Sequence, residues 1–121
     1  MEDFITEDLQ LAVKKGIYWM DENYPGWARR IDTDSLLMEN CDYCVIGQAC
    51  MDQGYWEVIE MGAKSLDNAN DWAIEHGFDV PMEDVPGDEY WASEGEGYGP
   101  VIQARYSMLE QLWTEEVRRR V

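Results

Sequence analysis

The chain has 121 residues, 26 of them Asp or Glu and nine Lys or Arg, for a formal charge of −17 with the lone His76 neutral. That length predicts one domain over 1–121, able to bury a core without a disulfide framework or a metal staple. With 45% apolar residues, six Trp and seven Tyr, the chain should fold rather than stay disordered. The acidic balance excludes an unaided nucleic-acid binder, and no run of about 20 apolar residues exists to span a membrane.

Ile5, Leu9, Ala12, Val13, Ile17 and Met20 recur at helical spacing, with Glu7, Gln10, Lys14 and Asp21 off the stripe, which predicts an amphipathic helix over 5–20. Pro25 and Gly26 stop it, since proline lacks the donor a continuing helix needs. Trp27 to Arg30 reads as one further turn, and Asp32 as a cap for a short helix through Leu36, Leu37 and Met38. Cys41 to Met51 reads as a buried helix, with Gly47 inside it as a point of close backbone approach. Trp56, Ile59 and Ala63 mark a fourth helix. A fifth is capped by Ser65, buries Leu66, Ala69, Ala73 and Ile74, and ends at Gly77 in left-handed geometry. Residues 76–81 leave it as extended chain.

From 81 to 99 two prolines, four glycines and six carboxylates replace helical periodicity. This predicts a long acidic loop, held to the body by Tyr90, Trp91 and Tyr98. Pro100 suits the first turn of a last helix whose face is Ile102, Tyr106, Leu109, Trp113 and Val117. Arg118, Arg119 and Arg120 complement the negative end of its dipole. The expected fold is therefore mainly α: a single compact domain of five or six helices, framed by the first and last, with the acidic loop before the C-terminal helix.

The acidic N-terminal residues carry no signal-peptide pattern, and three cysteines within ten positions suit reduced thiols, so a cytoplasmic location is expected. Cys41 and Cys44, with Cys50 and His76, offer a Cys3His set for zinc, because thiolates three positions apart can share a tetrahedral ion. The competing account makes these cysteines small apolar core residues. Asp42 opposes a redox thiolate between the two sulfurs. One histidine, four serines and no Gly-x-Ser-x-Gly turn leave no recognisable nucleophile, so no catalytic residue is assigned and catalysis is not expected.

The charge is also segregated. Residues 65–104 hold ten acids, Asp67, Asp71, Glu75, Asp79, Glu83, Asp84, Asp88, Glu89, Glu94 and Glu96, and no Lys or Arg. Asp67, Asp71 and Glu75 are spaced by four, which places them in a row on one helical face. Such a row has some likeness to the phosphates of a duplex strand, and Trp72, Tyr90 and Trp91 between the acids would supply apolar anchors. The plainer account is a solvated acidic face serving solubility.

Tyr24-Pro25-Gly26-Trp27, Ile31-Asp32 with Leu36, and Cys44-Val45-Ile46-Gly47-Gln48, with His76-Gly77-Phe78 and the Trp113 helix further on, resemble an uncharacterised family of small proteins of actinobacteriophages and actinobacteria. The resemblance covers about a quarter of the chain, 17–50, most closely, and excludes the acidic segment. It implies a phage-type accessory protein acting in host cytoplasm and transfers no catalytic residue. The motif also has a structural account, in which Asp32 caps and the Gln48 amide satisfies neighbouring backbone groups. The function expected is binding of a protein with a basic surface of the kind that holds nucleic acid, through Asp67, Asp71, Trp72, Glu75, Glu83, Asp84, Asp88, Glu89, Tyr90 and Trp91. A zinc-stabilised domain and a small enzyme without a recognisable motif are the alternatives.

Overall fold

A computed structural model describes residues 2–50, 53–65, 67–91 and 97–120, with the side chains of 2–6, 88 and 89 outside the description. Among the described residues the chain forms α1 (Glu2–Asn23), a 3-10 turn (Trp27–Arg30), α2 (Val45–Ala49), α3 (Tyr55–Ala63), α4 (Ala69–Glu75), α5 (Gly87–Tyr90) and α6 (Pro100–Arg120), and no strand. The protein is mainly helical, as its periodicity requires. None of the described helices is long and apolar enough to cross a membrane.

The two long helices lie side by side and run parallel: Gly16 of α1 faces the Trp113 ring, and Asp21 meets Arg120 near both C-terminal ends. Short connections favour antiparallel neighbours, but here nearly the whole chain separates the pair. Gly16 is what lets a third element in. A Cβ there would collide with the His76 carbonyl and approach the Trp113 ring, so only glycine allows the end of α4 to press on α1. Gly77 meets it from the other side at φ 74°, where an added Cβ would stand 2.8 Å from the Val13 Cα.

Gly77 closes α4 in a Schellman motif, its N–H donating to Ile74 O and the Phe78 N–H to Ala73 O at 2.8 Å. That exit throws Phe78 into the core between Trp72, Trp19 and Trp113, with centroids 5.8, 6.1 and 5.5 Å away. Trp113 donates Nε1–H to Gly77 O at 2.7 Å and meets Trp27 edge-on at 5.5 Å. These aromatic residues thus form one continuous cluster, in which the two fully buried indoles pair their N–H groups, Trp113 with Gly77 O and Trp27 with Asp21.

Three expectations are corrected. No helix forms over Leu36, Leu37 and Met38: Leu36 and Met38 point inward and Leu37 outward, while the N–H groups of Leu37 and Met38 donate to Tyr43 O and Glu110 Oε1. Asp32 instead caps a turn, accepting from the Asp34 N–H and the Ser35 hydroxyl. The helix expected over 41–51 shrinks to α2, because Asn40 gathers 41–44 into turns and Cys44 becomes the cap, its Sγ accepting from the Gly47 N–H. Gly47 does mark a close approach, to the backbone of Cys41 and Asp42. Ser65 starts a turn through the Asp67 N–H rather than capping α4, which begins at Ala69. Ile5 of the first stripe, Met51 and Leu66 lie outside the described side chains or residues.

Gln48 satisfies neighbouring backbone groups as expected, from a half-buried position. Its Oε1 accepts from the Asp32 N–H at 2.6 Å while Nε2 donates to Tyr43 O at 2.9 Å and to Asp32 O, which staples two turns together.

Candidate interaction surface

The acidic segment starts on the outside of α4. Asp67 lies in the turn before the helix, so the expected row of three is a turn residue followed by two helical ones, Asp71 and Glu75. All three are exposed, but Glu75 accepts an ion pair from Lys15 Nζ at 3.1 Å. Asp67, Asp71 and Glu83 form no ion pair with any described residue. Trp72 points the other way. It stacks on His76 at 4.1 Å and fills the space that Gly62 of α3 leaves open, so it belongs to the packing of α3 on α4 and not to the acidic face.

The segment after Gly77 is pinned to α6 by two neighbouring side chains. Arg105, only 9% exposed, donates to both oxygens of Asp84 at 2.9 and 2.8 Å and to Pro81 O at 2.6 Å. Its guanidinium holds the Asp84 carboxyl below the usual carboxylate range. Asp84 is therefore held by Arg105, although its side chain stays exposed. Next to Arg105, Tyr106 donates its hydroxyl to Asp79 Oδ1 at 2.6 Å, and the Val80 N–H donates to the same oxygen at 2.9 Å. Burial pushes the Asp79 carboxyl up despite both donors, and no described cation pairs with it.

Beyond α5 the chain returns on itself. Trp91 and Tyr98 form an antiparallel bridge, and the Gly99 N–H donates to Tyr90 O at 2.9 Å. The base of this hairpin is fixed from below, since Gln103 donates to Tyr98 O at 2.7 Å and the Tyr90 hydroxyl donates to Met82 Sδ. Trp91 stacks nearly parallel on Tyr98, with centroids 5.4 Å apart, and Tyr98 leans on Tyr106 at 5.7 Å. Trp91 nevertheless stays 58% exposed. An aromatic ladder thus rises from the buried Tyr106–Asp79 pair and ends in an indole open to solvent. Asp88 and Glu89 contribute backbone to α5, with their side chains outside the description, and Glu94 and Glu96 lie outside the described residues.

The four zinc candidates do not come together, as no group of three His, Cys, Asp or Glu arranged to hold a metal exists among the described residues. Cys44 and Cys50 are buried and Cys41 is exposed. Burial raises all three thiols, Cys44 to about 11, which opposes the free thiolate that redox exchange requires. His76 donates Nδ1–H to Trp72 O at 2.9 Å, since a carbonyl only accepts.

Of the anchors read from the sequence, Trp91 is mostly exposed, Tyr90 is half-buried support and Trp72 is half-buried in the packing of α3 on α4. Sequence spacing could not reveal the Arg105–Asp84 clamp, which joins residues from different elements; Tyr98 does rest on the body, against Tyr106 and Gln103, whereas Trp91 stays mostly exposed. Neither a protein-family model, nor a curated protein, nor a solved structure matches the chain.

Proposed function

We propose that this is a phage-type accessory protein that acts in a host cytoplasm by binding a protein with a basic, nucleic-acid-binding surface. Trp91 is the apolar anchor, and the acids that crowd residues 65–104 supply the negative field of the segment that carries it. One observation carries the reading: an indole 58% exposed yet held flat on Tyr98, in a stretch of chain that contains no Lys or Arg. A solvated loop that serves only solubility has no use for a supported tryptophan, whereas rigid aromatic anchors dominate binding energy at interfaces. Burying the exposed part of such a ring is worth about 2–3 kcal/mol at ~25 cal/mol per Å2. The carboxylates supply steering and selectivity more than affinity. Asp67, Asp71 and Glu83 carry this role better than Glu75 and Asp84, which already hold Lys15 and Arg105.

Immobilised protein exposed to lysate of an actinobacterial host should retain a basic protein at low salt and release it as salt rises. Asp67→Asn with Asp71→Asn should slow association, and Trp91→Ala should speed dissociation with unchanged thermal stability. Retention that ignores both salt and Trp91 would contradict the proposal.

A further inference from the structure

A second site lies apart from the acidic hairpin, between α1 and the end of α4. It is an open cleft of about 360 Å3 lined by Lys14, Lys15, Tyr18, Trp19, Glu22 and His76. Its size falls within the ~300–1,000 Å3 of small-molecule sites. The residues that gather there are the scarce ones: the chain has three lysines and one histidine, and two of the lysines and the histidine share this cavity. Gly16 is the cause, because it brings the His76 backbone onto α1 one residue beyond the lysine pair.

The groups differ in what they leave free. Lys15 is tied to Glu75, whereas Lys14 forms no ion pair among the described residues. His76 is fixed by its stack on Trp72 and by its Nδ1–H bond to Trp72 O, leaving Nε2 as the unengaged polar atom of the ring. Tyr18 is 67% exposed and Trp19 half-buried, so the wall between the charged ends is aromatic. Lys14 and Glu22 are eight residues apart on α1, about 12 Å along a helix rising 1.5 Å per residue. The cavity therefore presents a cation at one end, aromatic rings in the middle and a carboxylate at the other.

We propose that this cavity binds a nucleoside monophosphate with an exocyclic amine on its base. The phosphate meets Lys14, the base stacks against Tyr18 and Trp19, and the amine donates to Glu22, with the His76 ring at the rim of the same cleft. Lys14 has no ion-pair partner among the described residues, so an anion there completes a pair instead of displacing one. The site is independent of the protein partner proposed above.

The single histidine makes the test direct. Adenosine 5′-monophosphate titrated into the protein should shift the His76 ring NMR resonances and quench tryptophan fluorescence. Lys14→Ala should weaken binding about tenfold, as expected for loss of one charge-assisted contact, while Lys64→Ala should not. Adenosine, which lacks the anion, and inosine 5′-monophosphate, which lacks the amine, should each bind less tightly. Resonances unmoved by millimolar nucleotide would overturn the proposal. So would equal binding of adenosine, or of the nucleotide to a folded Lys14→Ala protein.

Discussion

Asp21 receives hydrogen bonds from two parts of the chain: both Arg120 terminal nitrogens, at 2.6 and 2.9 Å, and the Trp27 Nε1–H at 2.9 Å. Arg120 lies over the Trp27 ring at 5.4 Å and also bonds Glu116. The guanidinium lowers the Asp21 carboxyl, and the Arg119 and Arg120 guanidiniums outweigh burial to lower Glu116. Both Asp21 and Arg120 are partly in water, so solvent screens the pair. Arg120→Ala should cost about 1 kcal/mol in urea unfolding, from the ion pair and the cation–π contact together. Because the Asp21 carboxyl is depressed in the folded state, that contribution is present above the unfolded value of 3.8 and disappears as pH falls through the folded one. Asp79 behaves oppositely. Its raised carboxyl makes the ionised form costly in the fold, so the penalty stands at neutral pH and is relieved when acid protonates it. Asp79→Asn keeps an acceptor for Tyr106 and Val80, and should raise the urea midpoint at pH 7, with the gain shrinking toward pH 4. A midpoint lowered at pH 7 would show that the charge has a partner.

Elements read differently from the sequence according to how local their causes are. The stripes of α1 and α6 and the Gly77 stop were legible, because periodicity and a left-handed glycine act within a few residues. The helix over 36–38 and most of that over 41–51 were not. Their backbone donors are claimed by Tyr43 O, Asn40 and the distant Glu110, which spacing alone does not encode. The parallel pairing of α1 and α6 was equally hidden, since it depends on Gly16 admitting Trp113 and the end of α4. Gly16→Ala should therefore destabilise by about 3 kcal/mol, at the upper end for overpacking. Gly87→Ala, where an added Cβ meets nothing within 4 Å, should stay within ~0.5 kcal/mol of the parent, as surface substitutions usually do. Urea midpoints of the two variants check this contrast. A tolerated Gly16→Ala would mean that α4 does not press on α1.

At the scale of the molecule, the −17 charge is neither uniform nor wholly free. The sequence revealed the segregation of acids into 65–104 but not which of them are spent, because Lys15 and Arg105 approach Glu75 and Asp84 from helices far along the chain. It revealed Trp91 as a candidate anchor, yet gave no means of separating it from Trp72, which packing turns inward against Gly62. What distinguishes the exposed indole is the Tyr98–Tyr106 support beneath it, assembled from the hairpin and α6. Competition with nucleic acid tests the resulting account most directly: a basic host protein captured on this chain at low salt is challenged with duplex DNA. Displacement by DNA, together with failure of the Trp91→Ala protein to hold the same partner, is the predicted result. A captured partner that binds DNA and this protein simultaneously, or holds the Trp91→Ala protein as tightly as the parent, would contradict it.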